Sequence, residues 1–219
     1  MHKLVTAMGA VLAATVAASP VMAGKKPKLT WQVARTNDPI TGVTSCVVAA
    51  WDRAGGMSFS RTGALYPFVE NSSVHGLLVG VSSGGRYRMP TGDIAWRIDD
   101  HPFRTLVAAD NPAGMNTSPI PSDHAATAAL VEQQMRLVAA ATATSTVASG
   151  KTARTMLDEM LAGSGLLFRP VAATLGYGLP GGANQRIGQI TKDGLRPYPL
   201  DESLRAGLAT CGIAATPGD

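Results

Sequence analysis

Over residues 28–35 apolar and polar positions alternate, with Leu29, Trp31 and Val33 on one side, and a period of two predicts a β-strand. Asn37-Asp38-Pro39 supplies a turn, and residues 43–51 form a β-branched and apolar run suited to a second strand. Gly55-Gly56 and Thr62-Gly63 punctuate the next stretch, residues 77–81 read as a short apolar strand, and Gly84-Gly85 ends it. Residues 86–99 are expected to form a hairpin about Thr91-Gly92. It would set Met89 opposite Ile94, Tyr87 opposite Trp96 and Arg86 opposite Arg97. Its outer face would then carry Arg86, Arg88 and Arg97, with Asp99 or an outside anion offsetting the opposed guanidinium groups.

Beyond residue 108 the period changes. Residues 110–121 are rich in Pro, Asn and Ser and too poor in apolar residues to form an element. Ser122 or Asp123 can cap a helix running through Leu130, Val131, Met135 and Val138 to about Thr146. A second helix follows Ser149, with Ala153, Met156, Leu157, Met160 and Leu161 at helical spacing and Gly163 at its end. That Met-rich stripe reads as a core face rather than an adaptable binding surface. A strand at residues 166–171, a Gly-rich loop at 176–182 and Pro197 to Pro199 lead to a last helix. Asp201 caps it, Leu204, Leu208 and Cys211 share one face, and Gly212 closes it. The fold class expected is α+β: an antiparallel sheet or sandwich in the N-terminal half, a helical insert and a C-terminal helix. One domain is expected over 24–219, with a β-rich part at 28–108, a connector at 109–121, the insert at 122–163 and a closing strand and helix at 164–213.

Residues 1–23 change the reading of the composition. Lys3, an uncharged and mostly apolar run over residues 4–18, Pro20 and the small-residue site Val21-Met22-Ala23 have the form of a secretory signal peptide. The chain is 45% hydrophobic and only 16% charged, and this segment accounts for part of that imbalance. No later segment is apolar enough to span a membrane, so a periplasmic or secreted protein without a span after cleavage is expected. Disorder, coiled coil and collagen are excluded by the low charge and the absence of the corresponding repeats. The formal charge of +4, one unit of it from Lys3, is scattered apart from Lys25, Lys26 and Lys28. There is no basic stripe or aromatic platform for nucleic acid.

In an oxidising compartment the only two cysteines, Cys46 and Cys211, permit one intramolecular pairing, which would tie the first strands to the last helix. The other reading is two separate buried thiols. Neither cysteine has a flanking His or an electropositive helix start that would make it reactive. Asp99-Asp100-His101 is the densest group of possible ligands or acid–base residues, and with His75 or His124 it could form a metal site or a catalytic pair. Pro102 follows at once, however, and Asp residues cap strand-ending turns without any chemistry. No metal site and no cofactor are therefore expected.

Two further matches fail on context. Residues 145–152 (S-T-V-A-S-G-K-T) have Ser145 where a phosphate-binding loop needs its first Gly, and they follow a predicted helix rather than a strand. Residues 176–181 spell G-x-G-x-x-G with Pro180 inside and no βαβ unit around it. Asn71 and Asn116 head glycosylation sequons that matter only in a eukaryotic secretory route.

Several short motifs carry a resemblance. Trp31-Gln32-Val33, then Asn37-Asp38-Pro39-Ile40-Thr41, Ala95-Trp96-Arg97-Ile98-Asp99-Asp100 and Pro199-Leu200-Asp201-Glu202-Ser203-Leu204 ahead of Cys211-Gly212 together resemble small exported bacterial proteins. The families are the invasion-associated locus B family and a type VI secretion accessory family. In them a strand with an R-[IV]-D signature, here Arg97-Ile98-Asp99, sits in a β-sandwich, and a terminal helix follows the last strand. The resemblance covers the β half and roughly the last 50 residues, leaving residues 123–161 unmatched. Gly42 stands where the type VI pattern has an acidic residue. It implies a bacterial periplasmic location and a Cys46–Cys211 bridge, and it brings no catalytic residues. The expected function is that of an exported accessory protein binding a protein or cell-envelope partner, with Arg86, Arg88 and Arg97 as the candidate surface. The alternative is a cell-envelope hydrolase using Asp99, Asp100 and His101.

Overall fold

The computed structural model describes residues 29–54, 57–112, 125–171, 189–191 and 194–214. In chain order the first strands are β1 (Trp31–Asn37), β2 (Thr44–Ala50), β3 (Asp52–Ala54), β4 (Met57–Phe59), β5 (Leu65–Ser72) and β6 (Gly76–Ser83). Next come β7 (Ile94–Ile98), β8 (Arg104–Leu106), a single 3-10 turn at Ala108–Asp110 and helix α1 (Ala125–Thr142). The chain continues through β9 (Ser145–Ser149), α2 (Gly150–Ala162), β10 (Gly165–Pro170), β11 (Gln189–Thr191), β12 (Gly194–Arg196), β13 (Tyr198–Pro199) and α3 (Glu202–Thr210). Two antiparallel sheets result, with strand orders β1-β2-β5-β6-β9 and β13-β10-β7-β8, beside the two-stranded ribbons β3-β4 and β11-β12. The protein is α+β. No helix among the described residues is long and apolar enough to cross a membrane.

Strand alternation places one apolar set from each sheet in a shared core. Val48, Ala50, Val69, Val79 and Val81 come from the first sheet, and Ile94, Trp96, Ile98, Leu106, Leu166 and Phe168 from the second. Across the second sheet the rings of Trp96, Phe168 and Tyr198 stack in sequence, at centroid separations of 6.2 and 5.5 Å. The predicted stripe of α2 packs into the same core through Ala153, Met156, Leu157 and Met160, all buried. Where β6 meets β9 the strands lie so close that a Cβ on Gly80 would stand 2.2 Å from the Thr146 carbonyl oxygen, so only glycine fits there.

The hairpin expected over residues 86–99 does not form. Residues 84–93 run as an irregular loop, and β7 pairs instead with β8 and with β10, setting Trp96 opposite Arg104 and Phe168. Thr91 decides the outcome, because its N–H and its hydroxyl both bond to the Ala143 carbonyl, at 2.8 and 3.1 Å. Pro90 has no N–H to offer a ladder. Tyr87 and Met89 therefore reach solvent, and Arg86 never faces Arg97.

The first predicted helix is also too long at its C-terminal end. It stops at Thr142, and residues 145–149 form β9, the edge strand that completes the first sheet. Its start at Ser122 or Asp123, the signal segment, Asn116 and the Gly-rich loop of residues 176–182 lie outside the described residues. The P-loop-like segment, residues 145–152, follows helix α1, as expected, and itself comprises β9 and the first turn of α2. Its residues 145–149 are paired with β6, so they form no loop that can cradle a phosphate.

Helix α3 closes the fold. Asp201 caps it by accepting the Ser203 N–H at 2.9 Å, and the Ser203 hydroxyl accepts the Trp31 N–H at 2.9 Å. The Trp31 indole donates to the Pro199 carbonyl at 2.7 Å. At the other end Cys211 is disulfide-bonded to Cys46 in β2, with Cα atoms 5.4 Å apart and a sequence separation of 165. Gly207 lies against β2, where a Cβ would come within 2.6 Å of a Val48 methyl. Replacing both cysteines by serine is expected to lower stability by up to about 5 kcal/mol on the chain-entropy account of so long a loop. Urea denaturation of the oxidised protein beside the Cys46→Ser/Cys211→Ser variant measures this. A shift confined to the noise would mean that the α3 contacts alone close the chain.

Candidate functional site

Asp52 follows the apolar run of β2 and Trp51, and at 3% exposure it is a carboxylate removed from water. One oxygen, Oδ2, accepts from Arg61 Nε and from the Tyr66 hydroxyl, both at 2.5 Å, while Tyr66 Oη itself accepts the Arg61 N–H at 2.9 Å. Burial pushes the Tyr66 phenol up to about 12, with the hydrogen bond to Asp52 adding to it, so the ring stays protonated over the whole neutral range. Tyr198 is raised as well, by burial first and then by the Asp52 charge. The Asp52 Oδ1 atom has no hydrogen-bond partner among the described residues. Such a group is expensive to bury, and here a guanidinium and a phenol offset the cost.

This network supports two loops. Trp51 and Tyr66 pack ring to ring at 5.1 Å, and the Tyr66 ring lies so close to Gly84 that a Cβ there would stand 2.2 Å from Cε2. Gly85, at φ +85°, donates its N–H to Ser60 Oγ at 3.0 Å, and a Cβ on it would overlap Thr62. Loop 84–90 is thereby seated on loop 60–64, which Arg61 pins to Asp52. From this base side chains project into solvent. Met57 is 73% exposed and Phe59 42% on β4, and Tyr87 is 71% exposed and Met89 52% on the upper loop. Arg86 and Arg88 are exposed between them, with the Arg86 guanidinium 5.9 Å from the Tyr87 ring centroid.

Of the three arginines expected to share one face, Arg86 and Arg88 do stand together. Arg97 is elsewhere, on β7, donating to the Asp99 carbonyl at 2.8 Å and to the Asp100 carboxylate at 3.2 Å. Asp99 adopts a left-handed conformation, φ +43°. Its carboxylate accepts the Ser164 N–H, the Ser164 hydroxyl and the Gly165 N–H at 2.7 to 2.9 Å, which locks the turn after β7 to the start of β10. Those donors, the Ser164 N–H foremost, hold the Asp99 carboxyl below its ordinary value of 3.8. Asp100 and His101 are exposed in the same turn. His75 lies in the β5–β6 turn with its N–H on Ser72 Oγ, and His124 is outside the described residues. No group of three or more His, Cys, Asp or Glu able to hold a metal ion occurs among the described residues.

An open groove of about 680 Å³ lies over the disulfide, lined by Arg35, Asn37, Ser45, Asn71 and Thr210 among others, with no carboxylate or imidazole among the described residues of its wall. Arg35 is committed to the Thr210 carbonyl and Asn71 to that of Cys211, so these groups hold the end of α3. Compared with known proteins, the chain matches no family model, no curated protein and no solved structure. The loop pair above Asp52 is therefore identified by its geometry alone. Sequence reasoning missed the network, whose members are 9 and 14 residues apart in the chain. The available signal was an acid placed directly after an apolar strand.

Asp52→Ala should lower stability by about 3 kcal/mol, as breaking a buried pair does, and Tyr66→Phe by about 1 to 2 kcal/mol. Chemical denaturation measures both, and hydrogen exchange in residues 57–64 and 84–90 shows whether the loops loosen first. For Asp99 the sign follows from a carboxyl whose native pKa is depressed. Its stabilisation is complete above the ordinary value of 3.8 and is lost as pH falls through the lower native value. The stability difference between wild type and Asp99→Asn should thus be constant near neutrality and shrink in that acid window. A difference that stays flat into acid would show that the Asp99 charge contributes nothing.

Proposed function

We propose that the protein is an exported accessory protein that binds a protein or cell-envelope partner through the loop pair above Asp52. The observation that carries this reading is the exposure of Met57, Phe59, Tyr87 and Met89 beside Arg86 and Arg88, on loops bonded to a buried network. Large exposed apolar side chains gathered on adjoining segments mark contact surfaces more often than singly scattered ones do. Support for export comes from the form of residues 1–23 and from a disulfide closing nearly the whole folded chain. The motif resemblance to exported bacterial proteins points the same way. The hydrolytic alternative has weaker support, since Asp99 is engaged with Ser164 and Gly165 while Asp100 and His101 sit at an exposed turn.

A photo-crosslinking residue in place of Tyr87 tests the surface in living bacteria, with the same residue in place of Asp100 as the comparison. Crosslinked species are expected from position 87 and not from position 100. Equal yields from both sites would refute a dedicated surface, and a protein retained in the cytoplasmic fraction with both thiols free would refute export.

A further inference from the structure

We infer that the partner of this loop pair is an anionic lipid bilayer, a step that rests on the binding surface proposed above and names what it meets. Residues 57–64 and 84–92 contain three arginines and no aspartate or glutamate. Arg61 is spent on Asp52, whereas Arg86 and Arg88 make no ion pair among the described residues. Within these two segments no acidic residue offsets Arg86 and Arg88, and the complement of such a surface is an anionic one.

The apolar side chains among these cations decide which anionic surface fits. Met57 and Phe59 lie two apart on β4, so they share a face, and the intervening Ser58 turns the other way to bond with Gln32. Tyr87 and Met89 alternate with Arg86 and Arg88 along the upper loop. A bilayer boundary offers phosphates at one depth and acyl chains just beneath it. Tyrosine belongs at the headgroup level, methionine adapts to a fluid apolar layer, and arginine pairs with phosphate through its planar fork. The seat itself is held from below, by Gly84 on the Tyr66 ring and Gly85 on Ser60, so little loop ordering remains to be lost on contact.

Sedimentation of the mature protein with vesicles tests this, using phosphatidylcholine alone or mixed in equal parts with phosphatidylglycerol. Binding is expected to the mixed vesicles only, weakening as ionic strength rises. Arg86→Gln/Arg88→Gln should lower the partition coefficient about thirtyfold, from the usual contribution of a basic residue at an anionic surface. Tyr87→Ser/Met89→Ser should weaken binding yet leave its salt dependence, and Arg97→Gln should change nothing, because Arg97 lies in its own turn. Millimolar inorganic phosphate should not displace the protein. Thermal transitions matching wild type establish that the exposed-loop variants remain folded. Equal binding to both vesicle types, no binding to either, displacement by free phosphate, or full binding by the Arg86→Gln/Arg88→Gln variant would each overturn the lipid partner. If vesicles fail while the crosslinker at position 87 still captures one protein species, the binding surface stands with a protein as its partner. If both fail, the surface itself is refuted.

Discussion

The seating of α3 on the β1–β2 hairpin is the constraint on which the rest of the fold depends. A helix of nine residues has no stability of its own in water, so its order comes from what it packs on and from how its ends are held. Both ends are held. Asp201, Ser203 and Trp31 form one anchor, and the Cys46–Cys211 bridge, Arg35 on the Thr210 carbonyl and Asn71 on the Cys211 carbonyl form the other. In return α3 packs on β1 and β2 and brings Leu204 and Leu208 into the core cluster that holds Val48. The first and last described elements are thus one structural unit, although most of the chain lies between them.

Elements specified by neighbouring residues were legible in the sequence, and those specified by distant partners were not. The β1–β2 hairpin follows from alternation and from Asp38, which accepts from the Ile40 N–H and the Thr41 hydroxyl in the turn. The ends of α3 follow from Asp201, whose carboxylate accepts the Ser203 N–H, and from Gly212 at φ +66°, each acting within its own turn. The pairing of β7 is different. Its best local partner was residues 86–90, but β10, some 70 residues further on, supplies Leu166 and Phe168 to the same core and wins on burial. Residues 144–149 misled for the opposite reason. They continue the helical spacing of α1, yet Thr144, Thr146 and Val147 are β-branched and the open edge of β6 was waiting for a strand. Asn111 then protects the outer edge of β9, its amide donating to the Ser145 carbonyl and accepting the Val147 N–H, as a further strand would.

The motifs that carried the family resemblance do structural work here. Trp31 and Asp201 anchor α3, Asp38 forms the first turn, and Asp99 locks β7 to β10. Residues that look informative because they are charged or aromatic can owe their place to a turn or a cap. In Asp99-Asp100-His101, the densest group of possible acid–base residues in the sequence, Asp99 is a brace while Asp100 and His101 are exposed in the turn. Arg86 and Arg88 were singled out for a pairing that does not exist. What they share is a loop, and its neighbours Met57 and Phe59 enter only through a fold that brings residue 85 onto residue 60.

The buried carboxylate of Asp52 and the exposed loop pair belong to one design. Burying a charge whose second oxygen finds no partner among the described residues adds little or nothing to net stability, and an apolar residue there would pack more cheaply. What Asp52 does supply is position, because a guanidinium and a phenol converging on one oxygen leave the 60–64 loop few alternative geometries. Tyr66 carries that order upward through its ring to Gly84, and Gly85 passes it to the loop bearing Arg86 to Met89. A loop whose apolar tips are exposed would lower its free energy by collapsing onto the body of the protein. Held from beneath, it keeps Tyr87 and Met89 in solvent, ordered and ready for contact. The cost of the buried charge is then the cost of holding open a surface that the isolated loop would hide.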